Sequence, residues 1–511
     1  MNDKWINKYK KTPEFIAMAT AVIYGLIVHL FTLVNSIHNY DDIAVQPAGV
    51  GTSLPSGRWF LYILREIGEV TTGDYNLPWF NGIIFLLYIG ITAIFLVSVF
   101  GIKNKLYAGI VGAGLVSFPS ITVVLFFKYT APHYGLAILL GILAIWVTER
   151  WKYGFWASTV FIACTLGIYQ AYFPWIVSIY LILLIKKALE KNTNAITVIK
   201  NGFIYLGTMI VGLIEYFVVL KLMLKLTKTE LLDYQGISSM GSLSLAEIPM
   251  LVFKAFKGFM LLPAEDYCNL ATSPILKLSY FGIALLSMVM IIALFKKNKK
   301  RPVEIVITVL LCMMLPIAIN LIVLMGSAWV YTLMVLPFSL LLFIPIILLE
   351  TLQEEALGKS VKVLQFITVG VVGIIIFFNS YFANVNYSAM YFTNRRVENA
   401  MTSIVTQIQD ADGYTIDKKW AFVGSVDNRY FNQITWGQEH LYGGQTGVAN
   451  MLNQYSRKCW IYYYFGHRPT EATGDELNMV SQLPEVKEMP VWPNKNSVKV
   501  IGEYVVIKLG N

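Results

Sequence analysis

Long apolar runs separated by short polar segments dominate the first three quarters of the chain. A helix of about 20 apolar residues crosses the roughly 30 Å hydrocarbon core of a bilayer, and most of the runs are close to that length. The pattern therefore predicts an α-helical polytopic membrane protein with about eleven membrane-spanning helices. The predicted spans are 14–36, 78–100, 106–127, 134–148, 153–170, 172–187, 200–222, 274–295, 303–325, 329–349 and 363–381.

Two further segments carry helical periodicity but are too polar to cross the membrane. Residues 58–70 place apolar side chains at i, i+3, i+4 and i+7, with charged side chains on the other face. The segment after Ser244 has a similar pattern, and Ser244 with Glu247 forms a capping box that predicts a helix start. Both segments are predicted to be amphipathic helices at the membrane interface, in the outer loops 37–77 and 223–272.

The pattern changes again after residue 381, where short alternating segments replace the long apolar runs. This part is predicted to be a small extracytoplasmic α/β domain, residues 382–511, that follows a transmembrane catalytic domain, residues 1–381. The predicted strands are Trp420–Val423, Trp460–Phe465, Val498–Ile501 and Tyr504–Leu509, and the predicted helices are 397–408 and 475–483.

Composition and charge agree with a membrane protein. Only 14% of the 511 residues are charged and 56% are hydrophobic, whereas a soluble protein carries about 25% charged residues. The net charge is +9, and most cationic runs lie between apolar segments, most densely at 296–301. Because cationic loops stay in the cytoplasm, this excess is assigned to topology and not to nucleic-acid binding. The N-terminus is predicted to lie inside and the C-terminal domain outside.

Two adjacent carboxylates, Asp41 and Asp42, follow the first span at its predicted outer end. Charged side chains at the membrane border are costly and often mark function. A hydroxyl group that attacks an activated sugar needs a base to accept its proton, and either aspartate could be that general base. The alternative is that the carboxylates are simply solvated at a helix end. The Gly57-Arg58-Trp59 segment downstream makes this alternative less favoured.

Three residues are candidates for binding the phosphate of a lipid-linked donor. Arg58 can donate two parallel hydrogen bonds to phosphate oxygens, and Lys128 can act as a point charge. His133 follows Lys128 on the same predicted outer segment and can add a further donor.

Aromatic residues and one amide are candidates for binding the sugar. Tyr169, Gln170 and Tyr172 lie at the tip of a predicted hairpin, where the rings could stack on a sugar and the amide could bind its hydroxyl groups. Membership of an interfacial aromatic belt is the alternative. Tyr40 and Trp59, which flank the acidic pair and Arg58 in sequence, are further candidates for substrate binding.

The remaining candidates are charged. Glu265 and Asp266 could bind the acceptor or a divalent cation, or be a solvated loop end. Arg395 follows the last span and could bind an anionic group, or contact lipid headgroups. The sequence contains no Cys/His metal cluster, no phosphate-binding glycine loop and no dedicated set of metal ligands.

Four segments together resemble the GtrII-type family of polyprenyl-linked glucosyltransferases, which belongs to the GT-C class of membrane glycosyltransferases. These segments are His38–Asp42, Ser56–Trp59, Tyr169–Tyr172 and Val491–Pro493. The resemblance covers most of the chain and implies a GT-C-like fold. It also implies an essential acidic residue in the first outer loop, which here falls on the acidic pair.

The resemblance implies transfer of a hexose from a polyprenyl-phosphate donor. Glucose is the first candidate for the hexose, and undecaprenyl-phosphate-glucose for the donor. The acceptor would be a cell-surface polysaccharide or related glycan, as in O-antigen modification, and the anomeric centre would be inverted. The donor would be made by a synthase, moved by a flippase and used at the extracytoplasmic face of a bacterial cytoplasmic membrane. A requirement for a divalent cation, Mg²⁺ or Mn²⁺, is left open.

Two other functions remain as alternatives. A polysaccharide polymerase or ligase would share the many spans and large outer loops, but cationic residues would dominate those loops. A lipid-linked sugar transporter or flippase would place charges near the bilayer midplane and often show repeated halves. The early acidic pair and the predicted outer domain favour the transferase.

Overall fold

The computed structural model describes residues 12–44, 53–73, 75–232, 246–262, 267–326, 330–355, 359–427, 440–444 and 451–510. Most of these residues are helical, and a small sheet lies near the C-terminus. This confirms the main outline of the predicted fold class. The helices are α1 Pro13–Val34, α2 Tyr40–Ala44, α3 Trp59–Thr71, α4 Pro78–Phe100, α5 Lys105–Val116, α6 Pro119–Val124, α7 Ala131–Arg150, α8 Gly154–Ile168, α9 Phe173–Leu189, α10 Ala195–Thr227, α11 Ile248–Met260, α12 Pro274–Lys297, α13 Pro302–Ile319, α14 Leu340–Glu355, α15 Lys359–Gln409, α16 Gln454–Phe465, α17 Gly474–Gln482 and α18 Pro484–Glu488. The strands are β1 Lys419–Val423, β2 Val498–Ile501 and β3 Tyr504–Lys508.

The chain divides into two compact units. The membrane unit comprises Met1–Val34, Pro47–Asn384 and Glu439–Gly444, and the C-terminal unit comprises Asn35–Gln46, Val385–Gln438 and Gln445–Asn511. The segment after α1, which the prediction put in the domain of residues 1–381, thus groups with the C-terminal unit. The physical reason is that Ile43 is fully buried in that unit's hydrophobic core. The division into a catalytic and an outer domain stays a prediction.

Nine helices in the described part of the chain are long and apolar enough to cross a membrane. Two shorter apolar helices, α5 and α8, occupy the positions of the predicted spans 106–127 and 153–170. These helices identify a membrane protein. The count of eleven spans and the N-in/C-out orientation stay predictions.

The predicted span 106–127 is interrupted. Helix α5 ends at Val116, and α6 begins at Pro119. Phe118, between them, has an extended backbone with φ −65° and ψ 140°. The residue before a proline disfavours the helical conformation because the ring clashes with it. Pro119 therefore ends one helix and begins the next.

Both predicted interfacial segments are helical, as α3 and α11. The predicted capping box is wrong in its position, because α11 begins only at Ile248 and Glu247 makes no capping hydrogen bond. Pro249 suits the first turn of a helix, where its missing N–H would have no partner in any case. Ser244, the other half of the box, lies outside the described residues.

The predicted span 363–381 and the predicted helix 397–408 are parts of one helix of 51 residues, α15. The sequence contains no proline in this range and no glycine after Gly373. No local breaker therefore separates the two predicted helices. Residues of α15 belong to both units, with the division after Asn384.

The C-terminal unit contains a three-stranded sheet with the order β1-β3-β2, in which β3 is parallel to β1 and antiparallel to β2. Successive side chains of a strand point to opposite faces, so each face of the sheet packs against its own core. Trp420 and Val505 lie in the core shared with α16 and the end of α15. Ala421 and Val506 lie in the core shared with α17 and α18.

The predicted strand Trp460–Phe465 is wrong, since these residues end helix α16. Aromatic residues favour strands, but two local signals favour a helix here. The Asn453 side chain accepts a hydrogen bond from the Ser456 amide at the helix start. Gly466, with φ +68°, closes the helix end in the left-handed conformation.

Candidate functional site

In the membrane unit, a tight turn presents the first candidate residue, Arg58. Leu54–Ser56 form a single helical turn, and the Arg58 amide donates to the Ser53 carbonyl at 3.0 Å. Gly57 follows with φ +74°, and an added Cβ would lie 2.8 Å from Gln170 Nε2. Only glycine combines this backbone conformation with that close approach. The turn therefore delivers Arg58 to the start of α3 in a fixed position.

Two side chains hold this turn from the neighbouring helices. Gln170 Nε2 donates to the Ser56 carbonyl at 3.0 Å and lies 3.1 Å from Tyr216 Oη. Tyr216 Oη donates to the Gly57 carbonyl at 3.1 Å. Both carbonyls thus have partners, as buried backbone groups require. The predicted segments Ser56–Trp59 and Tyr169–Tyr172 meet through these bonds.

The Arg58 guanidinium lies among tyrosines. Its Nη1 is 3.4 Å from Tyr134 Oη, and its Cζ is 5.0 Å from the centre of the Tyr169 ring. In the described part of the chain no carboxylate pairs with Arg58, and its buried Nε has no hydrogen-bond partner. A cation withdrawn from water without a counter-ion is costly. The arrangement therefore suits the binding of an anion.

Three tyrosines form the wall beside the guanidinium. Tyr134 stacks on Tyr169 with ring centres 4.7 Å apart, and Tyr172 meets both rings edge-on. All three are buried, and the Tyr172 hydroxyl has no partner among the described residues. Aromatic rings with hydroxyl groups offer both an apolar face and a polar edge, which is the combination that a sugar requires. We call Arg58, Tyr134, Tyr169, Gln170, Tyr172 and Tyr216 the Arg58 cluster.

Three predicted residues lie beside the cluster in sequence. Trp59 is buried against Gly167, where an added Cβ would lie 2.7 Å from the indole ring. Lys128 is fully buried just before α7. His133 lies in the first turn of α7, next to Tyr134 in sequence, and its buried Nδ1 has no hydrogen-bond partner within the described ranges.

In the C-terminal unit, the acidic pair lies in the short helix α2. Asn39 starts this helix, because its Oδ1 accepts a hydrogen bond from the Asp42 amide at 2.8 Å. Neighbouring positions of a helix point about 100° apart, since a turn contains 3.6 residues. Asp41 and Asp42 therefore face different surroundings.

Asp42 faces the interior. It is fully buried, and its Oδ2 lies 3.0 Å from His38 Nδ1. The His38 backbone is in turn held by Asn394, which accepts from its N–H and donates to its C=O, both at 2.8 Å. A buried carboxylate requires such partners. Asp42 is thus built into the packing of the unit together with His38.

Asp41 is half-buried and pairs with a phenol. Partial burial, the charge of Asp41 and a hydrogen bond to its carboxylate raise the pKa of Tyr455 well above its ordinary value. Tyr455 therefore stays protonated and donates to Asp41. The Tyr40 ring packs against Tyr455 with ring centres 6.1 Å apart. We call His38, Tyr40, Asp41, Asp42, Asn394 and Tyr455 the Asp41 cluster.

The remaining charged candidates are Arg395, Glu265 and Asp266. Arg395 is 57% exposed, pairs with Glu398 at 2.7 Å and lies over the Tyr391 ring. Glu265 and Asp266 lie outside the described residues. Among the residues that the structure describes, no three His, Cys, Asp or Glu side chains are grouped closely enough to hold a metal ion.

Sequence reasoning missed the partners that lie far away along the chain. Tyr134 and Tyr216 in one cluster, and Asn394 and Tyr455 in the other, carry no local motif. Asn394, for example, is 356 residues from His38. Tyr134 and Tyr216 are aromatic residues at the start of, or inside, a predicted span, which is too common to single them out, and Asn394 and Tyr455 lie outside every predicted element.

Comparison with protein families matches residues 30–342 to the family described as glucosyl transferase GtrII. The matched range is more than half of the chain. The chain belongs to the GtrII glucosyltransferase family. Searches among curated proteins and among solved structures found no match.

Membership of the GtrII family implies glucosyl transfer. The matched range contains His38–Asp42, Ser56–Trp59 and Tyr169–Tyr172, but it does not contain Asn394 and Tyr455 of the Asp41 cluster. It ends before α15 and so includes neither Arg395 nor Val491–Pro493. The family relationship therefore bears on the predicted acidic and cationic residues and not on the last part of the chain.

Proposed function

We propose that this GtrII-family protein moves glucose from a polyprenyl-phosphate donor to a cell-surface polysaccharide or related glycan. The reaction takes place at the extracytoplasmic face of a bacterial cytoplasmic membrane, in a GT-C-like membrane domain. A donor synthase and a flippase supply the lipid-linked sugar. The observation that carries the proposal is Arg58, a partly buried guanidinium without a carboxylate partner in the described chain, set among aromatic rings.

The leaving group of this reaction is a lipid phosphate. Its oxygens gain negative charge as the bond to the sugar breaks, and a guanidinium can donate two parallel hydrogen bonds to them. Arg58 has an unpaired Nε for this purpose. Lys128 and His133 add charge and a further donor.

The base of the proposed reaction is Asp41. The acceptor hydroxyl oxygen attacks the anomeric carbon from the side opposite the phosphate, and its proton passes to the carboxylate. The bond from the anomeric carbon to the phosphate oxygen breaks, and its electron pair leaves with the phosphate. One displacement inverts the anomeric centre. Asp41, which is only partly buried, suits this role better than Asp42, which is fully buried against His38.

The sugar is proposed to lie against Tyr169 and Tyr172, whose rings and hydroxyl groups suit its two kinds of surface. Gln170 is proposed to bind a sugar hydroxyl group through its amide oxygen, because its amide nitrogen already binds the Ser56 carbonyl and Tyr216. Trp59 and Tyr40 contribute apolar surface beside the two charged groups. The acceptor contacts proposed for Arg395, Glu265 and Asp266 rest on their charge alone.

The test is a transfer assay with purified protein in liposomes, labelled polyprenyl-phosphate-glucose and a glycan acceptor. The wild-type protein should form a glycosidic product. Arg58→Ala should lower kcat/KM by about tenfold to a hundredfold, the range expected for lost charge-assisted hydrogen bonds. Arg65→Ala, which removes an exposed arginine from α3, is the matched control and should leave the rate unchanged.

Other outcomes would favour the alternatives. Movement of the intact donor across sealed vesicles without a glycosidic product would identify a transporter. Products that grow by repeated addition of whole oligosaccharide units would identify a polymerase. An Arg58→Ala protein with wild-type kcat/KM would refute the role of Arg58.

A further inference from the structure

A cavity of the membrane unit is lined by residues outside the Arg58 cluster. Its volume is about 580 Å³, within the range of roughly 300–1,000 Å³ that is typical of ligand sites. Side chains of α11, α12, α13 and α14 line it, and nearly all are aliphatic or aromatic. Three of these helices are among the candidate membrane spans.

The wall contains three hydroxyl groups, those of Tyr280, Ser287 and Thr308. Ser287 Oγ donates to the Ile283 carbonyl at 2.7 Å, and Thr308 Oγ1 donates to the Glu304 carbonyl at 2.8 Å. The buried Tyr280 hydroxyl has no hydrogen-bond partner among the described residues. An occupant with several polar groups would leave most of them without partners, at a cost in free energy. The wall therefore favours an occupant that is largely hydrocarbon.

The cavity opens towards the side where lipid would lie. Met288 and Met313 line it and are 59% and 60% exposed. Both side chains belong to candidate membrane spans, so the medium outside them is lipid and not water. Methionine is flexible and adapts to irregular apolar shapes. A chain could enter laterally from the bilayer.

One connecting segment links this cavity to the Arg58 cluster. Phe259 of the cavity wall packs on Phe338, with ring centres 5.9 Å apart. Tyr331, seven residues earlier, is close enough to Arg58 to interact with it electrostatically. Short helical turns occupy most of the chain between these two residues. At about 2 Å of rise per residue in such turns, the backbones of these two residues are roughly 15 Å apart.

We propose that this cavity binds the isoprenoid chain of the lipid-linked donor while Arg58 binds its phosphate. The inference rests on the proposed function and extends it by locating the lipid part of the substrate. A short link between an anion site and an apolar cavity matches a molecule that carries its phosphate at one end of a long hydrocarbon. A phospholipid acyl chain is the competing occupant and is tested directly.

The experiment uses the full chain in nanodiscs and a polyprenyl monophosphate with a photoreactive group in its chain. Irradiation should label peptides from α12 and α13. Ser287→Trp fills the cavity and should reduce this labelling about tenfold, since the displaced chain loses buried apolar area. Leu285→Trp is the matched control, because Leu285 lies on the same helix but outside the lining and is 51% exposed.

Competition and a second variant complete the test. Unlabelled polyprenyl monophosphate should abolish the signal, and excess phosphatidylglycerol should not. Thr308→Phe, which fills the cavity from the facing helix, should reproduce the effect if Ser287→Trp fails to fold. Labelling that is equal in both tryptophan variants, or equally suppressed by phosphatidylglycerol, would overturn the proposal.

Transfer assays separate this inference from the proposed function. A donor with a very short chain should react at similar rates in wild-type and Ser287→Trp protein, whereas the long-chain donor should react more slowly only in the variant. Cavity labelling without any glucosyl transfer would support the lipid site and refute the function. Transfer with an unchanged preference for long chains in Ser287→Trp would refute the site and leave the function standing.

Discussion

The Arg58 cluster and the Asp41 cluster differ in whether their charged groups already have partners. Arg58 is a cation without a carboxylate partner in the described chain, and aromatic rings surround it. The two aspartates are anions that already have partners, a histidine for Asp42 and a phenol for Asp41. A cation that lacks a counter-ion gains most when an anionic ligand arrives. A carboxylate held by hydrogen bonds keeps its position and charge, which suits a base.

The same contrast separates the two aspartates. Asp42 is fully buried and lies next to Ile43 of the core of the C-terminal unit, whereas Asp41 is only partly buried. Two adjacent residues of the same type therefore differ in what they can reach, because the helix turns Asp42 fully inward and leaves Asp41 only partly buried. Four substitutions test these comparisons.

Asp41→Asn should have the largest effect. An amide cannot accept the acceptor's proton, so kcat should fall by about 10²- to 10⁴-fold, the usual contribution of a general base. Donor binding should change little, because Arg58 is intact. Single-turnover kinetics with labelled donor, together with a donor-binding isotherm, measure the two quantities.

Asp42→Asn is the matched control for that experiment. It should affect thermal stability more than kcat, because Asp42 packs with His38 inside the unit. If Asp42→Asn instead abolished turnover in a well-folded protein and Asp41→Asn did not, the roles of the two residues would be exchanged.

Arg58→Lys should have the next largest effect. Lysine keeps the charge but cannot form two parallel hydrogen bonds with fixed geometry. The KM for the donor should rise about tenfold, and kcat should fall as well, because the leaving phosphate loses a donor of fixed geometry. A drop in kcat with an unchanged KM would mean that Arg58 acts only in the transition state.

Tyr216→Phe tests whether the turn before Arg58 must be held. The variant loses the hydrogen bond to the Gly57 carbonyl, and a typical buried hydrogen bond contributes about 1 kcal/mol. The KM for the donor should therefore rise about fivefold or less, with a normal far-UV spectrum. Phe217→Leu, at the next and partly exposed position, is the control and should behave as wild type.

Tyr455→Phe should have the smallest effect. The charged form of Asp41 loses one hydrogen-bond donor and becomes less favoured relative to its protonated form. The acidic limb of the kcat/KM profile should therefore move to higher pH, by less than about one unit. A shift to lower pH would contradict the contact between Tyr455 and Asp41.

Much of the helical framework was predictable. Residues 78–100 were predicted as a span and form α4 over the same residues, because a long apolar run with a proline at its start leaves few alternatives. The errors occur where one local signal opposes another. The aromatic run Trp460–Phe465 favoured a strand, but capping by Asn453 and Gly466 made it helical.

The sequence alone determined the segment types and the residues with chemical potential: the apolar runs, the acidic pair, Arg58 and the Tyr169–Tyr172 segment. These follow from composition and spacing, which act over a few residues. Only the tertiary structure decided that Gln170 and Tyr216 hold the turn before Arg58, and that Asp42 is fully buried while Asp41 is only partly buried. Those outcomes depend on contacts between residues more than a hundred positions apart, and no local pattern encodes which distant side chain fills a given space.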